Sequence, residues 1–228
     1  INFELSNTKN YKIHHQNCFK GNFYYPLISM PPLPLSIDST FRSYFYKQLK
    51  NVSLSDDTLV INIRSGDVFT DTNIPFHQKK YGQPPCGYYK EVIRMRNWSD
   101  IIITSETNDN PCVDIASNEI KKKFKKNSFY NDMSILLNAK NLVVSRGTIG
   151  FSIILLSNKI KNLFMFNRSV SWLPDHLNCV PTDVYYNDLI KHWKNTTYQR
   201  NLMLTSKCER WEFFKKDSND FFLRGNFV

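Results

Sequence analysis

Four short apolar runs limit what this chain can fold into: TLVINIR (58–64), DIIITS (100–105), NLVVS (141–145) and NLFMF (162–166). Each is too short for a buried helix, and each is apolar at nearly every position rather than at every second one. That is the pattern of a strand covered on both faces. Between the runs lie segments at 87–96, 112–124, 131–140 and 149–157 with helical apolar spacing. Short buried strands alternating with helices build a parallel sheet with helices on both faces, so the expected fold class is α/β, a Rossmann-like layer.

The flanks are less regular. Residues 1–35 are polar and then proline-rich, and a helix capped by Ser36 or Asp38 is expected to carry Phe41, Tyr44, Phe45 and Leu49 on one face. The expected division is 1–56, an entry segment and helix, and 57–228, the sheet domain with wrapping helices and a tail. After Asn167 the chain is aromatic-rich, and Trp172, Trp193 and Trp211 are read as packing residues.

In an open parallel sheet, ligands bind beyond the carboxyl ends of the strands. Three of the runs end in small or polar residues: Arg64-Ser65-Gly66-Asp67, Thr104-Ser105-Glu106, and Ser145-Arg146-Gly147-Thr148. Gly147 and Thr148 directly precede a helix, whose first N–H groups and dipole attract phosphate. Arg64 supplies a permanently charged fork suited to a diphosphate. The alternative for Arg64 is a salt bridge to Asp67 or Glu106 that ties loops together.

The net charge of +10 favours anionic partners without choosing among them. Its densest cluster, Lys121 to Lys126, reads either as the solvated end of a helix that turns Val113, Ala116, Ile120 and Phe124 inward or as a patch for nucleic acid or an anionic glycan. Five cysteines, widely spaced and without a CxxC pair, speak against a zinc ribbon or thioredoxin-type site. They leave open one or two disulfides or ordinary buried thiols. No stretch resembles a membrane span or signal peptide, and a start at Ile1 reads as a fragment or trimmed chain, which leaves open a removed upstream anchor.

No GxGxxG, Walker lysine, Asp-x-Asp, GxSxG or HExxH motif occurs, and the five histidines lack ligand spacing, so no cofactor and no metal are expected. Against that background, NIRSGD (62–67) resembles the H-x-R-x-x-D signature of the α1,2-, α1,6- and protein O-fucosyltransferase superfamily. The run from Asp132 to Thr148, DMSILLNAKNLVVSRGT, is similar to that superfamily's later motif.

The resemblance implies a GT-B-type donor lobe and inverting, metal-independent transfer of fucose from GDP-fucose to a glycan or glycoprotein hydroxyl. It implies that Arg64 and Thr148 hold the donor diphosphate and that Asp132 addresses guanine or ribose, with Asn62, Ser105, Glu106, Ser145 and Gly147 completing the donor site. Asp67 and Asp71 are the carboxylates available as acceptor base, Asp67 equally serving to orient Arg64. Tyr81 and Gln83 in YGQPPCGYY are the acceptor-contact candidates, with packing as the other role for the segment's aromatics. Asp132 has the alternative of a helix N-cap. Asn62 stands where the superfamily often has His, and Ser65 where a second Arg is frequent. The implied compartment is the Golgi or secretory lumen, with the cytoplasm as the alternative. The competing functions are a non-catalytic basic binding module and an inactive GDP-binding relative.

Overall fold

The computed structural model describes residues 47, 49–50, 52–70, 81–167 and 173–215. The helix expected before Leu49, Trp172 and Asp71 lie outside these, apart from the last few residues of that helix. Six strands, β1 (Thr58–Asn62), β2 (Asp100–Thr104), β3 (Asn141–Val144), β4 (Asn162–Phe166), β5 (His176–Pro181) and β6 (Cys208–Phe214), form one sheet in the order β2-β1-β3-β4-β5-β6. The pairings from β2 to β5 are parallel, and β6 runs antiparallel to β5 at the edge.

The continuous apolar runs explain the layering, because successive side chains on a strand point to opposite faces. Leu59, Ile61, Val143, Phe164 and Phe166 fall in the cluster covered by α2 (Cys86–Arg94), α3 (Pro111–Glu119) and Met203 of α7 (Thr197–Thr205). Val60, Leu142, Val144, Leu163 and Met165 fall in the other, beneath α4 (Phe129–Asn138) and α5 (Thr148–Leu156). Fully burying one such aliphatic side chain contributes about 2 kcal/mol, so covering both faces is the main driving force for this arrangement. A single helical turn, α1 (Asp67–Thr70), follows β1, and α6 (Asp183–Tyr185) continues into a π-turn over Tyr186–Ile190.

Local chemistry sets the helix ends. Asn110 caps α3, its side chain accepting from the Cys112 N–H, with Pro111 at the first helical position. Thr196 and Gln199 form a capping box on α7. The expected helix over 112–124 stops at Glu119. The Lys121 N–H donates to the Asn118 carbonyl and the Lys122 N–H to the Ser117 carbonyl, with Lys121 at φ 54°. These two bonds make a Schellman motif, with lysine in the left-handed position usually given to glycine. Lys121 to Lys126 therefore lie beyond the helix rather than on it.

A further departure concerns the second half. β5 and β6 were not expected from the sequence, since HLNCVP and CERWEFF mix polar and apolar residues without a sustained apolar run. Two disulfides, Cys86–Cys112 and Cys179–Cys208, settle the question that the cysteine spacing left open. The first joins the starts of α2 and α3, and the second links β5 to the edge strand β6. Trp193 is fully buried, its indole N–H donating to the Val68 carbonyl at 2.9 Å, and Trp211 stacks on Tyr88.

Candidate functional site

The direction in which strands are added reverses at β1, which lies between β2 and β3, so a crevice opens where β1 and β3 end. Arg64 emerges there, two residues past β1. Its backbone N–H donates to the Ser145 hydroxyl at 2.9 Å, and its carbonyl accepts from the Asn110 side-chain amide at 2.8 Å. Ser145 itself extends the β1–β3 ladder by donating its N–H to the Asn62 carbonyl at 3.1 Å. The Asn62 side chain bridges β2 and β3, donating to the Thr104 hydroxyl at 3.3 Å and accepting from Ser145 at 3.4 Å. Arg64 is thus anchored through its main chain to both neighbouring loops, which leaves its side chain to point where the site requires.

The guanidinium is only 23% exposed and lies between two carboxylates. Nη1 donates to Glu106 at 2.6 Å, and Nη2 pairs with Asp67. The salt-bridge alternative for Arg64 is therefore present in this structure. Both partners are about half exposed, so the pairs are screened and each is worth well under a few kcal/mol. A carboxylate on each side fixes the fork's direction, and an incoming anion can replace either at modest cost.

Two glycines make this approach possible. Gly66 has φ +72°, and a Cβ there would sit 2.5 Å from a Glu106 oxygen. Gly147 has φ +156° and ψ 173°, a region populated essentially by glycine, and a Cβ there would lie 4.0 Å from Arg64 Cδ. The N-terminus of α5, which has no side-chain cap at Gly147, therefore adjoins the Arg64 side chain. Gly150, one turn in, allows α5 to pack close to Val144 and the end of β3.

Most of the expected donor residues converge: Asn62, Arg64, Glu106, Ser145 and Gly147 meet at the crevice, and Thr148 opens α5 beside it. Ser105 does not face it. Its hydroxyl donates to the Thr107 carbonyl at 2.8 Å, and the residue is 3% exposed. Asp132 sits in the first turn of α4 but is not its N-cap. Ser128 is, accepting from the Asn131 N–H, while Asp132 accepts from the Asn127 amide at 3.0 Å. Partial burial pushes the Asp132 carboxyl above its ordinary range, partly opposed by that hydrogen bond.

Gln83, expected as an acceptor contact, is fully buried and donates to the Tyr81 carbonyl at 2.8 Å. Gly82 presses against the Leu189 carbonyl, and Tyr185 donates to the Gln83 carbonyl, so Gly82 and Gln83 pack into the core. Tyr81 packs partly buried against the same core.

Sequence reasoning missed Thr107, Asp109 and Asn110. The Ser65 and Thr107 hydroxyls lie 2.8 Å apart, Thr107 donates to Asp109 at 2.6 Å and accepts from the Gly66 N–H, and Ser65 accepts from the Asn110 N–H at 3.0 Å. Ser65, fully buried, thus ties the loop after β1 to the loop after β2. The one readable signal was Asn110-Pro111, a helix-start pair. Among the described residues, no group of three His, Cys, Asp or Glu side chains is placed to hold a metal ion.

Comparison of the chain with protein-family models, with curated proteins and with solved structures finds no match.

Proposed function

We propose that this chain is the donor-binding lobe of a metal-independent, inverting glycosyltransferase of the GT-B type, taking a nucleoside diphosphate sugar of the GDP-fucose class. The observation that carries this reading is the placement of Arg64. Its backbone is anchored to Ser145 and its side chain passes against Gly147 at the start of α5, so a fixed cation and a helix N-terminus adjoin at the sheet's switch point. The two disulfides accord with a lumenal or extracellular setting, where glycan acceptors occur.

In this reading an acceptor hydroxyl oxygen attacks the anomeric carbon. The bond from that carbon to the diphosphate oxygen breaks, and its electron pair leaves with the diphosphate. Arg64 and the α5 N–H groups stabilise the charge that develops there. Asp67 or Glu106 gives up one pairing as the phosphate arrives while the other keeps the guanidinium aligned. That use of Asp67 places it as the residue that orients Arg64 and leaves Asp71 as the candidate to take the acceptor proton. Asp132, on the helix that leads into β3, is the candidate for the base or ribose.

Calorimetric titration with GDP, GDP-fucose, UDP and UDP-sugars tests this. GDP and GDP-fucose are expected to bind, and Arg64→Ala to weaken both by about tenfold or more, the loss of a charge-assisted phosphate contact. Absence of binding by every nucleotide would overturn the transferase. Preference for UDP would overturn the donor class, and undiminished GDP affinity in Arg64→Ala would remove the phosphate contact.

A further inference from the structure

The lysine cluster sits away from the crevice. Lys122 pairs with Asp100, the first residue of β2, so the cluster lies at the end of the sheet where strands begin, roughly 16 Å from their carboxyl ends. At that pole Lys140 and Lys161 share Asp56, Arg96 pairs with Asp57 and Arg94 with Glu119. Those cations are already answered. Lys121, Lys123, Lys125 and Lys126 are exposed and have no ion pair among the described residues.

Their backbone is set by the Schellman motif at the end of α3, after which 122–128 runs without helix or strand. Lys121 to Lys126 can therefore span up to roughly 17 Å. Against them lies an open groove of about 540 Å³, lined by Ser117, Asn118, Phe124 and Lys121 to Lys123, with one acid, Asp114. Ser117 is 6% exposed, and its hydroxyl has no hydrogen-bond partner. That oxygen is sealed from solvent, so the groups the groove offers a ligand are the exposed side chains of Asn118 and the lysines.

We propose that this groove is a second binding site, for a sulfated or uronate-bearing glycan chain. It holds an acidic stretch of glycan at the pole opposite Arg64. The free lysines supply the charge, and the exposed Asn118 supplies hydrogen bonds to sugar hydroxyls. Two features favour glycan over nucleic acid. The disulfides place the chain where thiols oxidise. The groove's one aromatic, Phe124, is partly buried against the core, and a single half-covered ring is a poor platform for stacking successive bases. This inference does not rest on the Arg64 reading.

The test is titration of the full chain with a heparin-derived hexasaccharide at low and high salt, beside a single-stranded DNA of equal charge. The wild type is expected to bind the hexasaccharide, less tightly as salt rises. A Lys121→Gln/Lys123→Gln/Lys125→Gln/Lys126→Gln variant is expected to bind about tenfold or more weakly with an unchanged melting temperature, as follows from losing four exposed charge contacts. Lys123→Glu/Lys125→Glu, confined to exposed side chains, serves if the fourfold variant does not fold. Failure of the wild type to bind the hexasaccharide, equal binding by the folded variants, or tighter binding of the DNA would each overturn the proposal.

Discussion

Gly66 takes φ +72° in the turn from β1 into α1, and a Glu106 oxygen occupies the space where a Cβ would stand. Gly66→Ala must therefore strain the backbone and push the Glu106 carboxylate off Arg64. The expected cost is about 1–2 kcal/mol in urea denaturation, the usual penalty for a left-handed non-glycine residue. Nucleotide affinity, measured on the same variant, is expected to rise or hold, because Glu106 competes for the guanidinium. A marked loss of affinity would show instead that Glu106 is needed to aim it. The NIRSGD segment reads as a strand ending on Arg64, and the structure ends the strand at Asn62 with Arg64 two residues beyond it. The sequence offers Asp67 or Glu106 as its salt-bridge partner and the structure has both, whereas the Asn110 contact to its carbonyl was not legible, because it reaches across more than forty residues of chain. Gln83 failed as a site residue for a related reason: a polar side chain in a loop-like sequence reads as exposed, and only the packing of Gly82 against Leu189 shows it buried.

At the scale of elements, Asp56 holds the entries of two strands, pairing with Lys140 just before β3 and Lys161 just before β4. Hydrogen bonds from Lys140 and then Lys161 bring its carboxyl down from 3.8 to about 2. A lowered carboxylate pKa contributes stability above the unfolded value and loses it as pH falls through the folded one. The contribution is expected to be present at neutral pH and to fade between 3.8 and about 2, with Asp56→Asn flattening that part of an acid-unfolding curve followed by circular dichroism. The edge pair β5–β6 depends on a different device. Cys179–Cys208 closes a separation of 29 residues, so replacing both cysteines by alanine is expected to cost about 3 kcal/mol. Hydrogen exchange should then show β6 opening before the parallel strands do.

Across the whole molecule, the crevice and the lysine groove lie at opposite ends of one rigid sheet and share no residue. Substitutions that far apart act independently. The fourfold lysine variant is therefore expected to titrate GDP with unchanged affinity, and Arg64→Ala to leave hexasaccharide binding unchanged; a shift in either would mean that the two poles communicate.

The four apolar runs determined by themselves that a parallel sheet would form and that its faces would both be covered. Strand hydrophobicity and helical spacing are local properties, set within a dozen residues, and the boundaries of β1 to β4 follow them closely. The cluster of polar strand ends likewise placed the crevice. Tertiary structure alone decided the rest. β5 and β6 carry too few consecutive apolar residues to announce themselves and exist because each pairs with a neighbour and a disulfide joins them. The early end of α3 depends on two backbone hydrogen bonds, and the loop network on Ser65, Thr107 and Asn110 depends on strands adjacent in space but distant in sequence. Burial and pairing are properties of the assembled sheet, so they become visible only once the strands have found their order.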